Sequence, residues 1–108
     1  PRMAELWRAL DEAEADVVLA SHDHMYQRFA PQDASGRPDS RGVRSFVVGT
    51  GGAPLYQLRV VQPNSEARDH STWGVLKVTL RGRSYDWEFL PIAGQSFRDS
   101  GSAQCVVP

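Results

Sequence analysis

His22 and His24, separated by a single aspartate, are the side chains in this 108-residue chain whose types and spacing could do chemistry. In extended backbone, residues i and i+2 project to the same side, so both imidazoles would aim at one point while Asp23 faces away. That is the geometry of metal ligation. The same spacing also arises by chance in surface loops, and it leaves ordinary loop histidines as an alternative.

The elements around the pair must hold it in place. Val17-Val18-Leu19-Ala20 is an apolar run that stops abruptly at Ser21, which predicts a short buried strand ending in a polar loop. Open α/β sheets place their sites at the carboxyl ends of such strands. Upstream, Met3, Leu6, Trp7 and Leu10 recur at helical spacing, with Glu5, Arg8, Asp11 and Glu12 on the other side. This predicts an amphipathic helix over residues 3 to 14 lying across a sheet. A helix followed by a buried strand is half of a βαβ crossover.

The wording of Val17-Val18-Leu19-Ala20-Ser21-His22-Asp23-His24-Met25-Tyr26-Gln27-Arg28 resembles the last motif of the calcineurin-like metallophosphoesterases, usually Gly-His-x-His. The trailing Tyr26-x-Arg28 is similar to the purple acid phosphatase branch. The likeness runs on through Phe46-Val47-Val48-Gly49-Thr50-Gly51-Gly52 and Tyr85-Asp86-Trp87-Glu88-Phe89. Ser21 stands where the family generally has glycine, and a positive φ there would strain it. The family's earlier motifs, of the type Asp-x-His, Gly-Asp-x-x-(Asp or Tyr) and Gly-Asn-His, do not occur in this sequence.

The resemblance implies an α/β (α+β) fold. Residues 1–108 are expected to form the C-terminal half of an αββα metallophosphoesterase sandwich, with one N-terminal helix and about five mixed strands. It also implies hydrolysis of phosphate esters by metal-activated water at a dinuclear site of divalent or trivalent ions, iron, zinc or manganese. His22, matching the first histidine of the motif, would ligate the second metal; His24, matching the last, would ligate the first. Tyr26 and Arg28 would stand just outside, with Arg28 holding the loop or steering an anion, or with both simply paired within the loop. The expected partners are a phosphate ester and the missing N-terminal part of the same enzyme, and the 108 residues alone are expected to be inactive. The other functional class is a non-catalytic β-rich binding or assembly module with a residual His-x-His pair.

Twelve Lys and Arg against thirteen Asp and Glu, with no basic block, argue against a nucleic-acid binder. No run is long enough to cross a bilayer, so no membrane partner is expected. Cys105, the only cysteine, cannot close an intrachain disulfide. Secreted or periplasmic placement rests on the resemblance.

Farther along, Gln32 to Arg41 reads as an exposed loop, and Val43 to Val48 as a strand with Phe46, Val47 and Val48 buried. Gly49-Thr50-Gly51-Gly52 lacks the following helix that a phosphate cradle needs, and is expected to be a tight turn beside the histidines. Leu55 to Val61 is expected to make a short edge strand, and His70 to lie on the surface. Trp73 to Leu80 and Tyr85 to Phe89 alternate across Arg81-Gly82-Arg83-Ser84, an antiparallel hairpin with its aromatic face in the core. Pro91 to Pro108 reads as loop. Apolar sheet surface left uncovered would drive association of copies.

Overall fold

The computed structural model describes residues 2 to 106. Among the described residues the fold is α+β, with one helix and two sheets. Helix α1 spans Arg2–Glu12. It ends where Glu14 turns left-handed at φ 57°, letting the Ala15 N–H reach back to the Leu10 carbonyl at 3.0 Å. Trp7 and Leu10 are half-buried, but Met3 and Leu6, on the same expected face, are 55% and 50% exposed. The helix covers less apolar surface than its periodicity suggested.

Four strands form the first sheet: β1 Val17–Ala20, β2 Tyr26–Phe29, β3 Arg44–Val48 and β4 Ser65–Asp69, in the order β1-β3-β2-β4. β1 runs parallel to β3, with Leu19 opposite Phe46, and β2 is antiparallel to both β3 and β4. The strand at 17–20 is therefore an edge strand. It is not buried as expected: Leu19 is 58% exposed, because among the described residues only β3 pairs with it.

The second sheet is antiparallel, in the order β5 (Gly74–Leu80), β6 (Ser84–Pro91) and β7 (Asp99–Gln104). The hairpin of β5 and β6 is the predicted one, in register from Gly74 opposite Pro91 to Leu80 opposite Tyr85. Tyr85, Trp87 and Phe89 alternate along β6 and meet Tyr26 and Phe46 from the first sheet in one buried cluster. Each such side chain contributes about 2 kcal/mol by leaving water. The chain thus covers one face of its four-stranded sheet itself.

The sequence reading differs from the structure in several places. It expected about five strands, and β2, β4 and β7 were not among them. The expected edge strand at 55–61 is absent, and two of its amides bond outside any ladder: Tyr56 N–H donates to the His24 carbonyl at 2.8 Å and Leu58 N–H to His70 Nδ1 at 3.1 Å. In the tail read as loop, Gly101 sits in mid-strand opposite Trp87. A Cβ there would stand 2.3 Å from Trp87 Cζ2, so glycine is required by the indole rather than by a turn.

Candidate functional site

Strand order fixes where the histidines go. β1 and β3 are parallel neighbours and β2 lies on the far side of β3, so residues 21 to 25 must cross over the carboxyl end of β3. The crossing is tight. Met25's carbonyl accepts from the Gly49 N–H at 2.9 Å, and a Cβ on Gly49 would stand 2.0 Å from the Asp23 carbonyl oxygen. The glycine stretch is, as expected, the place where small residues let the chain pass beside His22 and His24.

The backbone at the pair is not the extended one assumed from spacing. Residues 22 to 25 form a bend, and His22 has φ 80°. Ser21 does not have a positive φ; the left-handed residue is its neighbour. A left-handed conformation costs an L-residue about 1 kcal/mol or more, and such strain concentrates at functional positions. The argument that alternation alone aims both rings at one point therefore does not hold.

His24 is held by a different device. Its Nδ1 lies 2.8 Å from the Pro54 carbonyl oxygen, which can only accept, so Nδ1 carries the proton. The Tyr56 ring stacks on the imidazole, with centroids 4.2 Å apart and planes 25° from parallel. The Tyr56 N–H closes the contact on the His24 carbonyl. Nε2 of the neutral ring is left as the nitrogen with a lone pair, which is the arrangement of a metal-ligating histidine whose other nitrogen donates to a carbonyl. The donor chemistry of His24 fits a metal ion. Among the described residues no group of three or more His, Cys, Asp or Glu side chains comes together to hold one.

Tyr26 and Arg28 point into the space between the sheets. Arg28 donates through Nε and Nη2 to Asp99 on β7 at 2.8 and 3.1 Å, and the Tyr26 hydroxyl donates to the same carboxylate at 2.6 Å. Arg28 also pairs with Glu66, which accepts from Arg44 Nη1 at 2.7 Å. The guanidinium carbons of Arg28 and Arg44 lie 5.0 and 4.8 Å from the Trp87 ring centroid, the range of cation–π attraction. Burial would raise the Asp99 carboxyl, but the hydrogen bonds from Arg28 and Tyr26 and the Arg28 charge outweigh it and hold it below the ordinary range. Burial, reinforced by Asp99, pushes the Tyr26 phenol far above its usual value. These partners lie on β7 and β4 rather than within the loop, so the pairing is neither of the two arrangements the sequence suggested. Asp99, absent from the sequence reading, is what organises it.

His70 is exposed, as expected. Its Nδ1 accepts from Leu58 N–H, which places its proton on Nε2, the tautomer opposite to that of His24.

No protein-family model and no curated protein matches the chain. A solved structure does. The chain resembles a purple acid phosphatase isolated from yellow lupin (Lupinus luteus) seeds, with a TM-score of 0.76 and 23% identity, over 96% of this chain and 19% of that one. At that identity the likeness establishes the fold, and the chain spans about a fifth of that protein's length.

Proposed function

We propose that this chain is the C-terminal portion of a metal-dependent phosphoesterase and that His22 and His24 are metal ligands in its site. The observation that carries the reading is His24, fixed with its Nδ1 proton on the Pro54 carbonyl at the carboxyl end of the parallel pair β1–β3. His22 beside it holds a left-handed backbone at φ 80°, and strained backbone of this kind concentrates at functional positions. The fold shared with a purple acid phosphatase supports the same reading.

Bound iron, zinc or manganese ions would supply positive charge to hold a phosphate ester and acidify a water. The chain's own residues do the placing. Pro54 and Tyr56 orient His24, Gly49 admits the crossing loop, and the Tyr26–Arg28–Asp99 cluster anchors β2, whose first residue lies two positions beyond His24. An apolar cleft of about 400 Å³ lined by Leu19, Ala20, Ser21, Val48, Thr50 and Val75 opens beside this end of the sheet. In this reading the remainder of the enzyme covers it and completes the site. A secreted or periplasmic location belongs to the same reading and rests on the sequence resemblance alone.

The test is hydrolysis of an activated phosphate monoester and diester by the complete gene product, assayed with each of the three metals. Activity abolished by His22→Ala and by His24→Ala is expected. Full activity in either variant, or activity in the 108-residue chain alone, would overturn the reading.

A further inference from the structure

The loop after β3 touches His24 in three ways that no general folding requirement explains. The Pro54 carbonyl takes the Nδ1 proton, the Tyr56 ring lies against the imidazole face, and the Tyr56 N–H binds the His24 carbonyl. Tyr56 is itself 44% exposed. Its ring is therefore not placed by core packing, and its stacking on His24 is the ring contact that the structure shows for it. A neutral histidine free in solution divides its proton between two nitrogens and turns about χ2, which is a broad torsion. Both freedoms oppose ligation through Nε2, and the clasp removes both: the aromatic face holds the ring in the plane in which Nδ1–H meets the carbonyl, and that bond in turn selects the tautomer.

We infer that Tyr56 is a positioning residue that, with the Pro54 carbonyl, presets His24 to offer Nε2 to a cation. The inference rests on the proposed metal site but makes a claim about the chain in the absence of metal. The hydroxyl of Tyr56 has no part in the clasp, so phenylalanine should replace it. A leucine retains the amide and the bulk but offers no flat face, and outside a strand or helix it threatens no element.

Long-range proton–nitrogen NMR of the imidazoles in the 108-residue chain, at about pH 8 where an unperturbed imidazole is neutral, reads the tautomers directly. His70 serves as the internal reference, since its Nδ1 accepts from Leu58 N–H and its proton must lie on Nε2. In the unsubstituted chain and in Tyr56→Phe, His24 should give the Nδ1–H pattern. In Tyr56→Leu it should move toward mixed tautomers, with His70 unchanged. In the complete gene product, zinc affinity should be about 10-fold weaker in the leucine variant than in the unsubstituted protein. A His24 that already shows mixed tautomers in the unsubstituted chain, or keeps a pure Nδ1–H pattern in Tyr56→Leu, overturns the positioning role. A pure pattern that Tyr56→Leu disturbs in the 108-residue chain, together with zinc binding by the complete gene product that His24→Ala leaves undiminished, upholds the clasp and counts against the metal site alone.

Discussion

Arg28 meets Asp99 with two hydrogen bonds, at 2.8 and 3.1 Å, and so ties the second strand of the first sheet to the last strand of the second. The side chains are 14% and 10% exposed, and Tyr26 adds a third bond to the same carboxylate. Removing Asp99 leaves the Tyr26 phenol without its acceptor and the Arg28 guanidinium with Glu66 as its remaining anion, in a low-dielectric gap.

Asp99→Ala should lower folding stability by about 3 kcal/mol, and Asp99→Asn by about 2 kcal/mol. The pH dependence follows from the depressed carboxyl. A folded-state value below the unfolded one, about 3.9, contributes stability that is fully present above pH 4 to 5 and is lost as pH falls through the folded value. Denaturant midpoints of the chain and of Asp99→Asn should therefore differ at pH 7 and converge toward pH 3. A gap independent of pH would contradict the charge-based account.

Gly49 and Gly51 look alike in sequence and are predicted to behave oppositely. A Cβ on Gly49 would meet the Asp23 carbonyl oxygen at 2.0 Å and the His24 Cα at 3.1 Å, whereas one on Gly51 meets nothing within 4 Å. The obstacle at Gly49 is backbone, which cannot swing aside. Gly49→Ala should cost about 2 kcal/mol or more and shift the His24 resonances, while Gly51→Ala should be close to neutral by both measures. Equal stabilities for the two variants would mean that the crossing loop is not held where the structure has it.

The left-handed His22 gives a third expectation. His22→Ala keeps the strained φ of 80°, and His22→Gly relieves it. The glycine variant should be the more stable of the two by about 1 kcal/mol in thermal or denaturant unfolding, because glycine carries no Cβ penalty there. Alanine equal to or better than glycine would show that the backbone at this residue is ordinary in solution.

The hairpin and its buried aromatic face were legible because period-two alternation is a direct image of a half-buried strand. So was the strand at 43–48. β4, Ser-Glu-Ala-Arg-Asp, was not legible: an edge strand is held by backbone bonds and keeps charge on its surface. β7 was hidden by serines and by Gly101, whose small size answers to Trp87 on the neighbouring strand. β2 was hidden because it turns Arg28 inward, which is tolerable only with Asp99 opposite, some seventy residues later. At the site, the residue types and the place at a strand end could be read directly. The φ of His22 and the Pro54–Tyr56 clasp could not, since both depend on how a loop crosses β3.

Metal content of the complete gene product, measured per chain by elemental analysis alongside hydrolysis, tests the central claim most directly, with His22→Ala, His24→Ala and Asp23→Asn compared against the unsubstituted protein. A site that needs both ions fails when either ligand goes, so each histidine variant should lose bound metal and nearly all turnover. Asp23 is exposed and touches the loop through its backbone carbonyl, so Asp23→Asn should keep its metal and change the rate by at most about 10-fold to 100-fold. Undiminished metal in both histidine variants, or losses at Asp23 equal to theirs, would contradict the assignment of His22 and His24 as ligands.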